Sequence, residues 1–167
     1  RSITYTINFK NLEDSRYLSF VENTILKIVV SYIENGQNIR TIRFNTTPLN
    51  EFILSDTKDF YNRLRLLSIF SKKIGVRWFN ISFNLQKESK GDIDNISNHC
   101  YKIIKEFDNS FVNMIVTDDY INNYAVKKAS DVIKKASLLS DNGIDNFRLG
   151  VSLNVKPNTP FFPFSYS

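Results

Sequence analysis

The sequence predicts an α/β fold: a five-stranded, mainly parallel sheet with helical crossovers in the order βαβαβαβαβ. Five short segments are rich in alternating or continuous apolar residues, the mark of strands. Between successive members lies a stretch with apolar residues at three- and four-residue spacing, the mark of an amphipathic helix. No two strands lack a helix between them, so hairpins are absent and successive strands are expected to run parallel. A ferredoxin-like antiparallel arrangement needs hairpins and is set aside.

Taken in order, Ser2–Phe9 alternates Ile3, Tyr5, Ile7 and Phe9 with Thr4, Thr6 and Asn8. Asn11, Asp14 or Ser15 can cap the helix that follows, with Leu18, Val21, Ile25, Ile28 and Tyr32 as its stripe and Gly36 as its stop. Ile39–Thr46 is the second strand, ending at the turn Thr47-Pro48. Asp56 or Thr57 opens the second helix, with Phe60, Leu64, Leu67 and Phe70 or Ile74 inward and Gly75 at its end. Val76–Asn84 is the third strand, apolar enough to be covered on both sides. Gly91 and Asp92 start a third helix through Ile96, Cys100, Ile103 and Phe107. Phe111–Thr117 is a continuous apolar strand. Asp118 and Asp119 are expected to cap a fourth helix with Ala125, Ala129, Val132, Ile133, Ala136 and Leu139 buried, stopped at Asn142-Gly143. Phe147–Val155 alternates again and closes the sheet.

With 167 residues, 42% of them hydrophobic, the chain can bury one sizeable core. No apolar run approaches the ~18 residues needed to cross a bilayer, so no membrane partner is expected. The opening RSITYTINF alternates instead of forming a solid apolar block, so no signal peptide is read there. Arg1 as first residue points to a processed or partial chain, or to an initiator methionine left off. The one cysteine, Cys100, rules out an internal disulfide and fits a reducing cytoplasm. The net charge of +5 suits an anionic partner, but lysines and arginines are interleaved with acids, so nucleic-acid binding is disfavoured.

In parallel sheets ligands bind beyond the carboxyl ends of the strands. Those ends offer Asn8 with Lys10, Asn45, Thr46 and Thr47, Asn84, Thr117 with Asp118 and Asp119, and Asn154, Lys156, Asn158 and Thr159. The set is rich in amides and hydroxyls, suited to a small polar molecule. The same residue types also serve as ordinary caps and turns. Arg43 and Arg40 are read as facing the layer opposite Ile42 and Phe44, where an arginine needs a partner. Glu51 or an aspartate of the chain is the favoured one, a carboxylate or phosphate ligand the alternative. His99 and Cys100 are adjacent on a helix and point apart, so they form neither a catalytic pair nor a shared metal site. Asp118-Asp119 is read as a cap, not a cation site. Phosphate-binding glycine loops and a serine elbow are absent. No catalytic residue, cofactor or metal is assigned.

The chain ends in a segment punctuated by Pro157, Pro160 and Pro163, with Phe161, Phe162, Phe164 and Tyr166 as a large aromatic surface expected to meet a partner. Here Val155–Ser167 resembles the "TPFFPAxY" signature of an uncharacterised family, domain of unknown function seven hundred and eleven, with Phe164 standing where the family has Ala. Arg1–Asn8 resembles its "RTIT" opening, Arg40–Pro48 its second strand, and Asp119–Leu139 with Asp141-Asn142-Gly143 its "AAxVIKxL…DDGFGNLRF" run. The resemblance implies a barrel like that of pyruvate formate-lyase, without implying radical chemistry, since no glycyl-radical loop or strand-tip cysteine is present. Family members are more than twice this long. It therefore implies that residues 1–167 are one half of a ten-stranded α/β barrel, an oligomer or fragment completed by a second chain or a C-terminal half.

The resulting expectation is a subunit of a cytoplasmic barrel protein with an enzyme-type pocket for a small polar or anionic metabolite. Asn8, Asn45, Thr46, Asp118, Asn154 and Thr159 would contact the ligand and Arg43 would neutralise it. The alternatives are an interaction subunit docking through its aromatic tail and a basic RNA-binding accessory domain.

Overall fold

Five strands lie side by side in sequence order, every neighbouring pair parallel: β1 (Ser2–Thr6), β2 (Thr41–Asn45), β3 (Trp78–Asn84), β4 (Ser110–Thr117) and β5 (Leu149–Leu153). The computed structural model describes residues 1–117, 120–157, 159, 162, 164 and 166. The connecting helices are α1 (Ser15–Glu34), α2 (Asn50–Ser55), α3 (Thr57–Lys73), α4 (Lys90–Glu106) and α5 (Asn123–Ala136). Right-handed crossovers between sequential parallel strands place all helices on one face. One core cluster bears this out: it joins Val21 and Ile25 of α1, Ile53 of α2, Leu64 of α3, Ile96 of α4 and Ala129 of α5 to Phe44, Phe79, Ile81, Phe83 and Val112 of the sheet.

Side-chain oxygens start four of the helices by accepting an otherwise orphaned backbone N–H. Asp14 accepts from Arg16 N, Asp56 from Asp59 N, Ser89 from Asp92 N and Asn122 from Ala125 N, at 2.9–3.2 Å. Gly36 and Gly75 follow α1 and α3 in the left-handed region, φ 68° and 74°, where glycine carries no Cβ penalty.

The structure departs from the sequence reading at several elements; the first strand already ends at Thr6, and Phe9 belongs to a 3-10 turn. The cap of α5 is Asn122; Asp118 and Asp119 lie outside the described residues. Helix α5 ends at Ala136, and Ile133 is 40% exposed because it sits beside the stripe Ala125, Ala129, Val132 and Ala136 instead of within it. Tyr32, read as inward on α1, is exposed in the last turn of that helix, past its buried residues Val21 and Ile25. The last strand begins at Leu149, since Phe147 and Arg148 belong to a 3-10 turn, Ile144–Arg148. Arg148 fixes that turn by donating to the carbonyls of Phe107 and Ile104 at 2.7 and 2.6 Å while pairing with Asp145 at 2.6 Å. Finally, α2 is a short helix where the sequence suggested only a turn, seated by Leu49 and Ile53, both fully buried.

The face away from the helices is different. Alternation places Thr4, Thr6, Arg43, Asn45, Trp78, Asn80, Ser82, Phe111, Asn113 and Ser152 there. Phe162 and Phe164 of the C-terminal segment lie against it. The Phe162 ring meets Phe111 with centroids 4.9 Å apart, the Phe164 carbonyl accepts from Asn113 Nδ2 at 3.4 Å, and Tyr166 donates its hydroxyl to the Val155 carbonyl at 2.9 Å.

Candidate functional site

Where β1, β2 and β3 end, three loops enclose a cleft of about 440 Å³. After β1 the chain makes a 3-10 turn, Phe9–Asn11, which brings Lys10 to the rim. Arg63 of α3 holds this turn down: it donates to the Lys10 carbonyl at 2.8 Å and pairs with Glu13 and Asp59. After β2, Leu49 N–H donates to the Ser82 carbonyl at 2.9 Å, so the chain leaves β2 alongside β3 and delivers α2 to the cleft.

Asn50, the first residue of α2, is the hub. Its amide nitrogen donates to the Asn84 carbonyl at 2.6 Å and to Glu88 Oε1 at 2.7 Å, and its Oδ1 accepts from Asn84 N–H at 2.9 Å. The loop after β3 is fixed from the other side by Asn122, whose Nδ2 donates to the carbonyls of Leu85 and Gln86. Tyr120 Oη donates to the Gln86 carbonyl at 2.9 Å as well. The floor is thus rigid and hydrogen-bonded, as a ligand site on a scaffold requires. Lys10, Lys87, Glu51 and Glu88 line the cleft and set both charge signs around it.

On the helix-free face the polar side chains are joined to one another, two pairs across strands and one along β3. Thr6 Oγ1 donates to Asn45 Oδ1 at 2.7 Å, Asn80 Nδ2 to Ser82 Oγ at 3.1 Å, and Ser152 Oγ to Asn113 Oδ1 at 2.7 Å. The Arg43 guanidinium lies 4.9 Å over the Phe162 ring, and burial together with the nearby positive charges of Arg77 and Arg40 lowers its pKa from the ordinary value.

A family model described as Uncharacterised ACR (DUF711) matches residues 1–167. The chain belongs to this family. A search of curated proteins gives no match. The description assigns DUF711 no reaction, so chemistry must be read from the site.

The residues singled out in the sequence spread over both regions. Lys10, Thr47 and Asn84 line the cleft; Asn8, Asn45, Thr46, Asn154 and Thr159 do not. Asn8 caps the 3-10 turn, accepting from Lys10 N–H at 3.0 Å. Asn45 is buried in its bond to Thr6, and Thr46 is buried with its hydroxyl 3.4 Å from the Asn80 carbonyl. Asn154 adopts φ 53° and donates its N–H to the Thr117 carbonyl, closing β5. Thr159 is half-buried, and Asp118 lies outside the described residues. Of the tail aromatics, Phe161 also lies outside them, Phe162 and Phe164 are half-buried, and Tyr166 is buried.

Arg43 has no internal acid partner among the described residues, contrary to the pairing favoured from sequence. Glu51, in the first turn of α2, lines the strand-end cleft, whereas Arg43 sits in mid-strand on the helix-free face. His99 and Cys100 do point apart. His99 Nδ1 is 3.0 Å from Tyr61 Oη, and Cys100 is fully buried, its thiol pushed up by burial. No three metal-ligating side chains converge among the described residues. Sequence reasoning missed Asn50, Gln86 and Glu88. For Asn50 the signal was Leu49 and Ile53 at i, i+4, which marks a short helix; for the others it was the polar run after β3.

Proposed function

We propose that the cleft at the carboxyl ends of β1, β2 and β3 is an enzyme-type pocket for a small polar metabolite, with no reaction assigned to it. The observation that carries the reading is the Asn50 hub, which locks two loops and a helix start around a cavity of metabolite size. Lysines and glutamates on the rim favour a ligand with both hydrogen-bonding and ionic groups, such as an amino or hydroxy acid or its amide. Calorimetric titration of the chain with a panel of those compounds tests this. One-to-one binding that weakens in both Lys10→Ala and Lys87→Ala supports the pocket. Absence of saturable binding by every panel member refutes it.

A second reading concerns assembly. We infer that the chain supplies half of a larger cylinder, completed by another chain or a further segment. All helices lie on one face, parallel sheets are ordinarily covered on both, and β1 and β5 are edge strands with one side unpaired. Native mass spectrometry decides between the two ways of completing it: a dimer or higher species supports another chain, and a strict monomer at micromolar concentration contradicts completion by a second copy. A free, buried cysteine and the lack, among the described residues, of any helix long and apolar enough to cross a membrane accord with a cytoplasmic setting.

A further inference from the structure

We propose that the helix-free face carries a second ligand site, separate from the strand-end cleft: an oxyanion site centred on the Arg43 guanidinium, for a small molecule bearing a carboxylate or phosphate. Arg43 is the middle residue of β2, in register with Thr4 of β1 and Trp78 of β3. Its Nε is buried and makes no hydrogen bond among the described residues. A desolvated guanidinium donor without an acceptor is costly, which is why such groups are normally paired.

The other half-buried arginines with ion pairs follow that rule. Arg63 reaches Asp59 and Glu13 at 2.7 and 2.9 Å, and Arg148 reaches Asp145 at 2.6 Å. By contrast, no ion pair among the described residues engages Arg40, Arg43 or Arg77. Positive charge is therefore gathered at one place on the sheet, with no acid paired to it among the described residues. The lowered pKa of Arg43, caused first by burial and then by Arg77 and Arg40, reflects the same deficit.

The flat faces of two of these guanidinium groups are already engaged. Arg43 stacks on Phe162 at 4.9 Å and Arg77 on Trp78 at 5.0 Å. The Phe162 ring covers the Arg43 guanidinium, and the unpaired Nε–H beneath it is the donor an entering carboxylate or phosphate would take up, as one of the two parallel hydrogen bonds a guanidinium can offer. An anion there would give Arg43 its missing acceptor and offset the mutual repulsion of the cluster.

Calorimetric titration of the full chain at constant ionic strength, once with inorganic phosphate and once with malonate, tests the site. The expected result is one saturable site per chain for at least one probe, and the tighter probe identifies the source of the oxyanion. Arg43→Gln should weaken it at least about tenfold, as loss of a bidentate charge-assisted contact implies. Arg43→Lys should fall between, since it keeps the charge and loses the fork. Lys134→Gln, an equal charge change on the outer turn of α5, should leave it unchanged. No saturable binding of either probe, or parental affinity in Arg43→Gln, overturns the proposal. If Arg43→Gln does not melt cooperatively, Arg77→Gln decides: several-fold weakening supports the site and unchanged affinity overturns it. These anions and variants are independent of those that test the strand-end cleft, so either reading can fail alone.

Discussion

Toward the helices, the sheet presents Phe44, Phe79, Ile81, Phe83 and Val112, all inaccessible to solvent. Away from them, alternate positions of the same strands present Asn45, Asn80, Ser82, Asn113 and Ser152, buried almost as completely. The first set gains roughly 1.5–3 kcal/mol per side chain from leaving water. Each member of the second must find a hydrogen-bond partner and returns a net of only about 0.5–1.5 kcal/mol. Equal burial thus hides unequal purpose. The helix side supplies the apolar core, and the polar side carries hydrogen-bonded amides and hydroxyls with Arg43 among them.

The largest effect should come from the helix side. Phe79→Ala removes a fully buried ring and should cost about 3–5 kcal/mol in urea denaturation; a cost below about 1 kcal/mol would break the comparison. Asn113→Ala on the opposite face leaves the Ser152 hydroxyl without its acceptor and should cost about 1–3 kcal/mol by the same measurement. If it equalled the phenylalanine deletion, the polar face would be as structural as the apolar one.

A smaller effect concerns pH. His99 lies between Tyr61 and Lys102, and burial first, then Lys102, lowers its pKa from 6.5. The unfolded chain therefore binds the proton more readily, so the His99 contribution is complete above pH 6.5 and is lost as pH falls through the lowered folded value. Melting curves across that range should drop more steeply for the parent than for His99→Gln; parallel curves would contradict the assignment. Least of all should matter Lys72→Ala, which breaks an ion pair to Asp108 whose side chains are 55% and 81% exposed. A change in midpoint stability beyond a few tenths of a kcal/mol would be unexpected.

The division between faces explains what could be read from residues alone. Strands and long helices were legible because the apolar stripes Phe60, Leu64, Leu67 and Ile96, Cys100, Ile103 follow the helical period, and Phe79, Ile81, Phe83 the strand period. The end of α5 and the start of β5 were not, because Arg148 binds carbonyls of α4 across 41 and 44 residues, a long-range contact that overrides the local alternation through Phe147. Lys10, Thr47 and Asn84 follow strand ends and line the cleft, whereas Asn50 reaches it through a fold-dependent bridge to Asn84. Arg43 was legible as a residue needing a partner; that Glu51 sits at the strand ends instead is a matter of topology.

The most direct measurement is the set of arginine Nε–Hε resonances of the isotopically labelled chain during titration with inorganic phosphate. Arg63 and Arg148 already donate Nε–H to carboxylates at 2.7 and 3.2 Å, whereas the Arg43 Nε makes no hydrogen bond among the described residues. The account predicts a saturable shift of the Arg43 signal while those of Arg63 and Arg148 stay in place. A stationary Arg43 signal, or three signals drifting together with ionic strength, would contradict it.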